Sequence, residues 1–348
     1  MKFEMQNTTD VVEGVRDDRG EWRPKDLPKA WPLFRPFGSK DTLKFFFGYR
    51  GFVYEIARRV LLAIVLWRFL TPSPQRMAIL QLDWIVLIFL RNAALLVLVA
   101  GRRHFQLYVR RLQGTKYKFS DSWPTRDKKF LFNNQTWDNV FWSIASGCVM
   151  WTAYEAGMLW AHANGWLPFI TMRSAPVLFV AIFLLEDFYG MAHFYFTHRL
   201  IHWKPLYKAV HYIHHKNIVF GPWSGLSMHP IEHIIFMSSV LIYLVIPSHP
   251  VHIIKHCMAR GIGPADNHAG FGAFVRNKGD KEVYTKQLLL WERMADYFHH
   301  LHHRYFTVNF GNSQMPLDKW LGTEHDGTPE SHERMLARRR AKRKKQLG

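Results

Sequence analysis

The sequence predicts a helical integral-membrane protein with a large polar part, and three observations lead there. Hydrophobic residues make up 48% of the 348 positions and aromatics 16%, yet the mean hydropathy is only −0.15. That average conceals two kinds of segment, some strongly apolar and others crowded with Lys, Arg and His. Several of the apolar runs approach or exceed the roughly twenty residues that cross a bilayer. Basic residues gather in particular polar stretches between and after these runs, as they do in loops facing the cytoplasm.

In chain order, residues 1–50 form a polar, Pro-containing extension. It has no continuous apolar stretch, so it does not read as a secretory signal peptide, and later segments must direct insertion. The run 52–70 (FVYEIARRVLLAIVLWRFL) contains Glu55, Arg58 and Arg59 and reads as interfacial or as a poor span. The run 77–101 is long enough to cross, although Asp83 and Arg91 interrupt it; 139–163 and 175–198 are further candidates. The run 234–247 has fourteen residues, which suits a shallow re-entrant piece or half of a span. Gly-rich, polar 260–285 reads as loop. The organisation expected is an extension (1–50), N-terminal membrane helices with a basic loop (51–174), a histidine-rich unit (175–328) and a basic tail (329–348).

Charge orients this arrangement. The segment 102–129 carries Arg102, Arg103, Arg110, Arg111, Lys116, Lys118, Arg126, Lys128 and Lys129, which places it in the cytoplasm. Counting forward, 139–163 leaves the cytoplasm and 175–197 returns to it. The histidine-rich unit and the tail, with eight Lys/Arg against one Glu in residues 333–348, then share the cytoplasmic side. The formal net charge of +19 suits attraction to anionic lipid; no nucleic-acid-binding motif accompanies it. The two cysteines, Cys148 and Cys257, lie outside any CxxC, so neither a disulfide framework nor thiolate ligation is expected.

Sixteen of the twenty histidines fall between His193 and His303. HRLIH sets His198 and His202 at i and i+4, on one helix face. HYIHH sets His211, His214 and His215 at i, i+3 and i+4, and HHLHH repeats the pattern with His299, His302 and His303. The first member of each triplet can share a face with both others, while His300 falls off that face. Eight imidazoles exceed the four ligands of a structural zinc and suit two metal ions. All-nitrogen ligation fits zinc, iron, copper or nickel alike. His229, in an HP pair before an apolar run, and His268, in a Gly-rich turn, are plausible additional ligands. His193, His233, His249, His252, His256 and His300 read as ordinary core or surface histidines. A pH-sensing cluster would not need the same spacing twice.

Taken together, FYFTHRLIH (194–202), HYIHHK (211–216), PWSGLSMHPIEH (222–233), NHAG (267–270) and FHHLHHRYFTVNFG with PLDKWLGTEHDGT (298–328) resemble the fatty acid hydroxylase/sterol desaturase superfamily. The HP and HxG pieces are most similar to its sterol-oxidising branch. The resemblance covers roughly 175–328. It implies an all-α integral-membrane helical bundle of about four transmembrane helices, carrying a cytoplasmic helical cap that holds a histidine-rich dimetal site. It implies metal ligation by His198, His202, His211, His214, His215, His268, His299, His302 and His303, with His229 at the HP position. Asn309, Gly311 and Asp318 match positions of structural or supporting role. Where family members often carry an acidic residue before the first box, this chain has Met191, with Asp187 one helical turn earlier.

The activity implied is that of a membrane-bound, dioxygen-dependent, non-haem di-iron enzyme. It would hydroxylate or desaturate a lipid C–H bond, most simply of a sterol, alternatively of a fatty acyl or sphingolipid chain. Zinc, which has no redox chemistry, could fill the site of a purified form without turning over. The ring N–H groups of the ligands need partners that fix their tautomers, and Glu232, Asp296 and Asp318 are candidates. Neither CxxCH nor GxGxxG is present, so electrons are expected from an external cytochrome- or ferredoxin-type carrier and its reductase, docked on the basic face. The membrane would be a bacterial inner membrane or the endoplasmic reticulum. A histidine-rich metal transporter is the rival class; it should hold its ligands at mid-bilayer on broken spans, whereas these follow the spans.

Overall fold

The computed structural model describes residues 13–25, 31, 34, 40–48, 51–278, 281–285 and 297–347. Its elements, in chain order, are a short hairpin, β1 (Gly14–Arg16) and β2 (Trp22–Pro24), and helices α1 (Lys40–Phe47), α2 (Phe52–Phe69), α3 (Pro74–Met77) and α4 (Leu82–Val109). Helix α5 (135–163), α6 (Pro176–Ile201), α7 (204–215), α8 (Pro230–Leu244) and α9 (Pro250–Asn267) follow. A second hairpin, β3 (Phe274–Lys278) and β4 (Lys281–Thr285), precedes α10 (Tyr297–Tyr305), α11 (Leu317–Trp320) and α12 (Pro329–Leu347).

Among the described residues, two helices are long and apolar enough to cross a membrane, α4 with 28 residues and α6 with 26. At 1.5 Å per residue each exceeds the roughly 30 Å hydrocarbon layer. Helix α8 is shorter; its first half is α-helical and its second half, Ser238–Leu244, tightens to a 3-10 turn.

Of the charges that interrupt the apolar runs, Asp83 stays exposed beside Arg76, while Arg91 and Arg59 turn inward and pair. Arg91 is buried against Glu155 of α5, and its guanidinium also reaches Asn92 Oδ1 at 3.0 Å and Thr71 Oγ1 at 2.9 Å. Asn92 and Trp151 donate to the same Glu155 carboxylate. Arg59 of α2 grips Asp187 of α6 with both terminal nitrogens, at 2.7 and 3.3 Å. A charge in an apolar layer persists only when paired and hydrogen-bonded, and these residues satisfy that requirement across helices far apart in the chain.

The Gly-rich stretch 260–285 is not one loop. Its first part completes α9, most of which is buried despite Lys255, His252 and His256, and its last part is the β3–β4 hairpin. Pro264 sits inside α9. The turn Pro222–Leu226 packs there so closely that a Cβ on Gly225 would collide with the Pro264 carbonyl. The N-terminal extension also contributes: Trp22 stacks on Phe119 and meets Tyr117 edge-on, and Trp31 packs against Phe52 and Phe188. The basic tail is helical (α12), and its Arg339 returns to Tyr305 O and Thr307 Oγ1 just beyond α10.

Candidate metal centre

Nine buried or nearly buried histidines converge in two groups. His198, His202, His211, His215 and His302 form one; His214, His268, His299 and His303 form the other. Each triplet is divided between them. Residues i and i+4 join the same group (His211 with His215, His299 with His303), while the i+3 residue crosses over, His214 to the second group and His302 to the first. At 3.6 residues per turn, i+3 and i+4 lie about 100° apart on either side of residue i, so one short helix serves two centres. The single shared face expected from the spacing is thus two adjoining faces.

Backbone carbonyls set the tautomers. His198 Nδ1 lies 2.6 Å from Phe310 O, His302 Nδ1 2.6 Å from Val308 O, and His268 Nδ1 2.9 Å from Pro264 O. A carbonyl only accepts, so Nδ1 carries the proton and Nε2 presents a lone pair. Yet those Nε2 atoms face other imidazole nitrogens. His302 Nε2 is 3.1 Å from His202 Nε2 and 3.0 Å from His215 Nε2; His268 Nε2 is 3.1 Å from both His299 Nε2 and His303 Nε2. The pairs His198–His211 and His211–His202 stand at 3.2 and 3.0 Å.

Converging lone pairs repel unless a cation lies between them. With metal–imidazole bonds of about 2.0–2.1 Å, ligands at right angles stand about 3.0 Å apart, and tetrahedral ligands about 3.4 Å apart. The observed 3.0–3.2 Å separations match near-right-angle ligation. The residues therefore fit two metal ions. Burial first, then the neighbouring imidazoles, hold His211, His214, His215, His299, His302 and His303 well below the ordinary imidazole range, and burial lowers His268 to about 4. All are neutral at pH 7, the ligating form.

The support is built by the last motif. Asn309, at φ 55°, sends Nδ2 to Phe298 O and His325 O and accepts from His325 N. Asp318 accepts from Phe310 N and Gly311 N at 2.8 Å each and from Thr323 Oγ1 at 2.6 Å. A Cβ at Gly311 would press on Asp318 Oδ2 and Tyr195. These three residues hold the strand of chain whose carbonyls orient His198 and His302. Glu232 binds His211 Nδ1 directly, at 2.7 Å. Asp318 acts through the loop instead of on a ring, and Asp296 lies outside the described residues.

His229 is not brought to either group. The following Pro230 opens α8, which leaves His229 extended at the helix cap, where its Nδ1 accepts from Ile231 N. Its place as a tenth ligand is therefore corrected to that of a cap. His300 lies in neither group; its ring packs near Phe119, Tyr297 and Phe220. His193, His233 and His256 pair with Ser238, Ser146 and Ser239 hydroxyls. Phe310, Phe306 and Phe220 stand about the imidazoles, with centroids 5.0, 5.0 and 5.1 Å from His202, His215 and His268.

A cavity of 260 Å³ opens beside the histidines. His198, His211, His214, His268 and His299 line it together with Phe194, Phe236 and Met228. Arg59, Glu186, Asp187 and Arg260 lie elsewhere in its wall. The sequence reading missed this charged wall. Its signal was present in Arg59, Glu186 and Asp187, charges set inside apolar runs, but at Arg59 that signal argued against a span.

Residues 179–323 match the family model described as Fatty acid hydroxylase. The chain is 30% identical over 181 residues to a methylsterol monooxygenase of Aspergillus fumigatus, covering 50% of this chain and 54% of that one. It is 34% identical over 152 residues to methylsterol monooxygenase 2-1 of Arabidopsis thaliana (42% and 53%). It is 30% identical over 142 residues to a Delta(7)-sterol 5(6)-desaturase of Gibberella zeae (39% of each). No solved structure matches significantly. The matched segment thus resembles the fatty acid hydroxylases, and the relatives it matches are named as sterol oxidoreductases. The matches span about half the length, or less, of these relatives.

Proposed function

We propose that this protein is an integral-membrane, dioxygen-dependent di-iron oxidoreductase that hydroxylates or desaturates a C–H bond of a lipid, most simply a sterol. The observation that carries the reading is the pair of histidine groups whose proton-free Nε2 atoms converge beside a largely apolar cavity. The sterol preference rests on the names of the relatives.

His198, His202, His211, His215 and His302 would hold one iron, and His214, His268, His299 and His303 the other. When bound, the irons supply the redox chemistry with dioxygen that attacks an unactivated C–H bond, with two electrons and two protons reducing the second oxygen atom to water in a hydroxylation. The chain's own residues do the rest. The carbonyls of Val308, Phe310 and Pro264 fix three rings, Glu232 a fourth, and Phe220, Phe306 and Phe310 exclude bulk water. Neutral imidazoles resist oxidation better than thiolates, which suits them to this chemistry. Helices α4 and α6, with other apolar helices, anchor the chain as a multi-pass bundle of about four spans, and the histidine unit caps it on the cytoplasmic side. An external carrier delivers electrons to the basic face, so turnover with that carrier falls as ionic strength rises.

The test is lipid profiling by mass spectrometry of cells with and without the protein, with a His302→Ala, His303→Ala variant as control. A sterol product made by the native protein and absent with the variant is expected. An unchanged sterol profile removes the sterol class, and equal product from the variant removes the mechanism.

A further inference from the structure

We infer that Arg260 is the receptor for an oxyanion carried by the lipid substrate, about two helical turns from the histidine groups. The inference rests on the cavity being the lipid pocket proposed above. Three observations lead to it. Arg260 lines the cavity that His198 and His214 also line. Its neighbours in the wall are satisfied without it: Asp187 takes Arg59 at 2.7 Å and Lys255 at 3.1 Å, and Glu186 takes Lys255 at 3.3 Å and the Tyr243 hydroxyl at 3.3 Å. Arg260 itself makes no hydrogen bond and no ion pair with any described residue. Those carboxylates attract it only through space.

The geometry holds the guanidinium in place. One face lies over the Phe236 ring, with Cζ 5.4 Å from the centroid. Its Nη2 occupies the space at Gly190 of α6, where any Cβ would collide with it. The small residue therefore admits the guanidinium to the cavity wall. Gly190 precedes His198 by eight residues, roughly 12 Å of helix rise. A planar, always-charged fork of donors facing a low-dielectric cavity matches a carboxylate or phosphate, and leaving it unpaired there is costly. The substrate class this selects is an amphipathic lipid, steroid or long-chain, whose anionic group lies well away from the C–H bond attacked. A hydroxyl next to that bond would sit beside the histidines and leave Arg260 unmet.

The experiment uses full-length, metal-loaded protein in nanodiscs. Binding of a steroid carboxylic acid, its methyl ester and a single-chain phosphate monoester is measured for native protein, Arg260→Gln, Arg260→Lys and Gly190→Ala. One of the two anions should bind about tenfold or more tightly over the ester, on the scale of a charge-assisted pair; which of them does so identifies the group. Arg260→Gln and Gly190→Ala should abolish the preference, and Arg260→Lys should keep part of it. Equal binding of anions and ester, or a preference that survives Arg260→Gln, overturns the assignment while the lipid-pocket reading stands. Failure of every probe, and of a neutral sterol measured beside them, to bind overturns both.

Discussion

The two halves of the chain solve different problems with buried polar groups. In the C-terminal half, nine imidazoles are brought together with their lone pairs facing one another, an arrangement that is unfavourable without a metal. In the N-terminal half, four buried or half-buried charges meet their opposites: Arg91 with Glu155, Arg103 with Asp266, Asp138 with Lys216, Arg59 with Asp187. Three of these four pairs join the first half to the second. The difference teaches that the histidine half gathers candidate ligands while the charged half supplies position, clamping α6, the end of α7 and α9 from outside the histidine motifs.

The sharpest way to break that division is to remove ligands. Replacing His302 and His303 together by alanine takes one ligand from each group, so metal measured by mass spectrometry should fall from two ions per chain towards none, with activity abolished. Retention of both ions would sink the two-centre assignment. Removing a clamp should do the converse. Glu155→Ala leaves Arg91 buried and unpaired, a loss of about 3–5 kcal/mol, read as an earlier unfolding transition in detergent. Metal content below that transition should be unchanged; if metal leaves while the fold stays, the clamps are part of the site.

A subtler variant separates the groups. Asp318→Asn weakens the hold on the loop whose Phe310 and Val308 carbonyls orient His198 and His302, both in the five-histidine group. Loss of such support costs about 10–100-fold in metal affinity. Titration with a chelator should therefore empty one site before the other, and a single simultaneous release would count against this division of labour. The smallest effects are expected at His229 and His300. His229→Ala removes a helix cap, about 1 kcal/mol, and His300→Phe replaces one ring by another; neither should alter metal stoichiometry.

How much of this was legible beforehand follows from the physics of each element. The spacing of His198, His202, His211, His214, His215, His299, His302 and His303 repeats the helical period, so sequence alone marks them as candidate ligands, and the structure brings them together. It does not assign His214 and His302 across groups, because that depends on how α7 and α10 face each other. Nor does it show the carbonyl anchors, since any residue at 264, 308 or 310 offers the same oxygen. Arg59 and Asp187 stand 128 residues apart; each reads locally as a flaw in an apolar run, and only their meeting explains either. The segment 260–267 misled for a related reason: glycines and Pro264 signal a loop, but tertiary packing against Trp151 and Gly225 holds them helical.

The crossing of His214 and His302 bears on how the protein matures. Each centre draws ligands both from residues 211–215 and from 299–303, so neither can be assembled while the ribosome has yet to deliver the later box. On the proposed function, metal acquisition would therefore be a late event, after α10 has folded against α7. On that reading, a cell short of the metal would accumulate an ion-paired scaffold whose two histidine groups wait together, and loading one would preorganise the shared helices for the other.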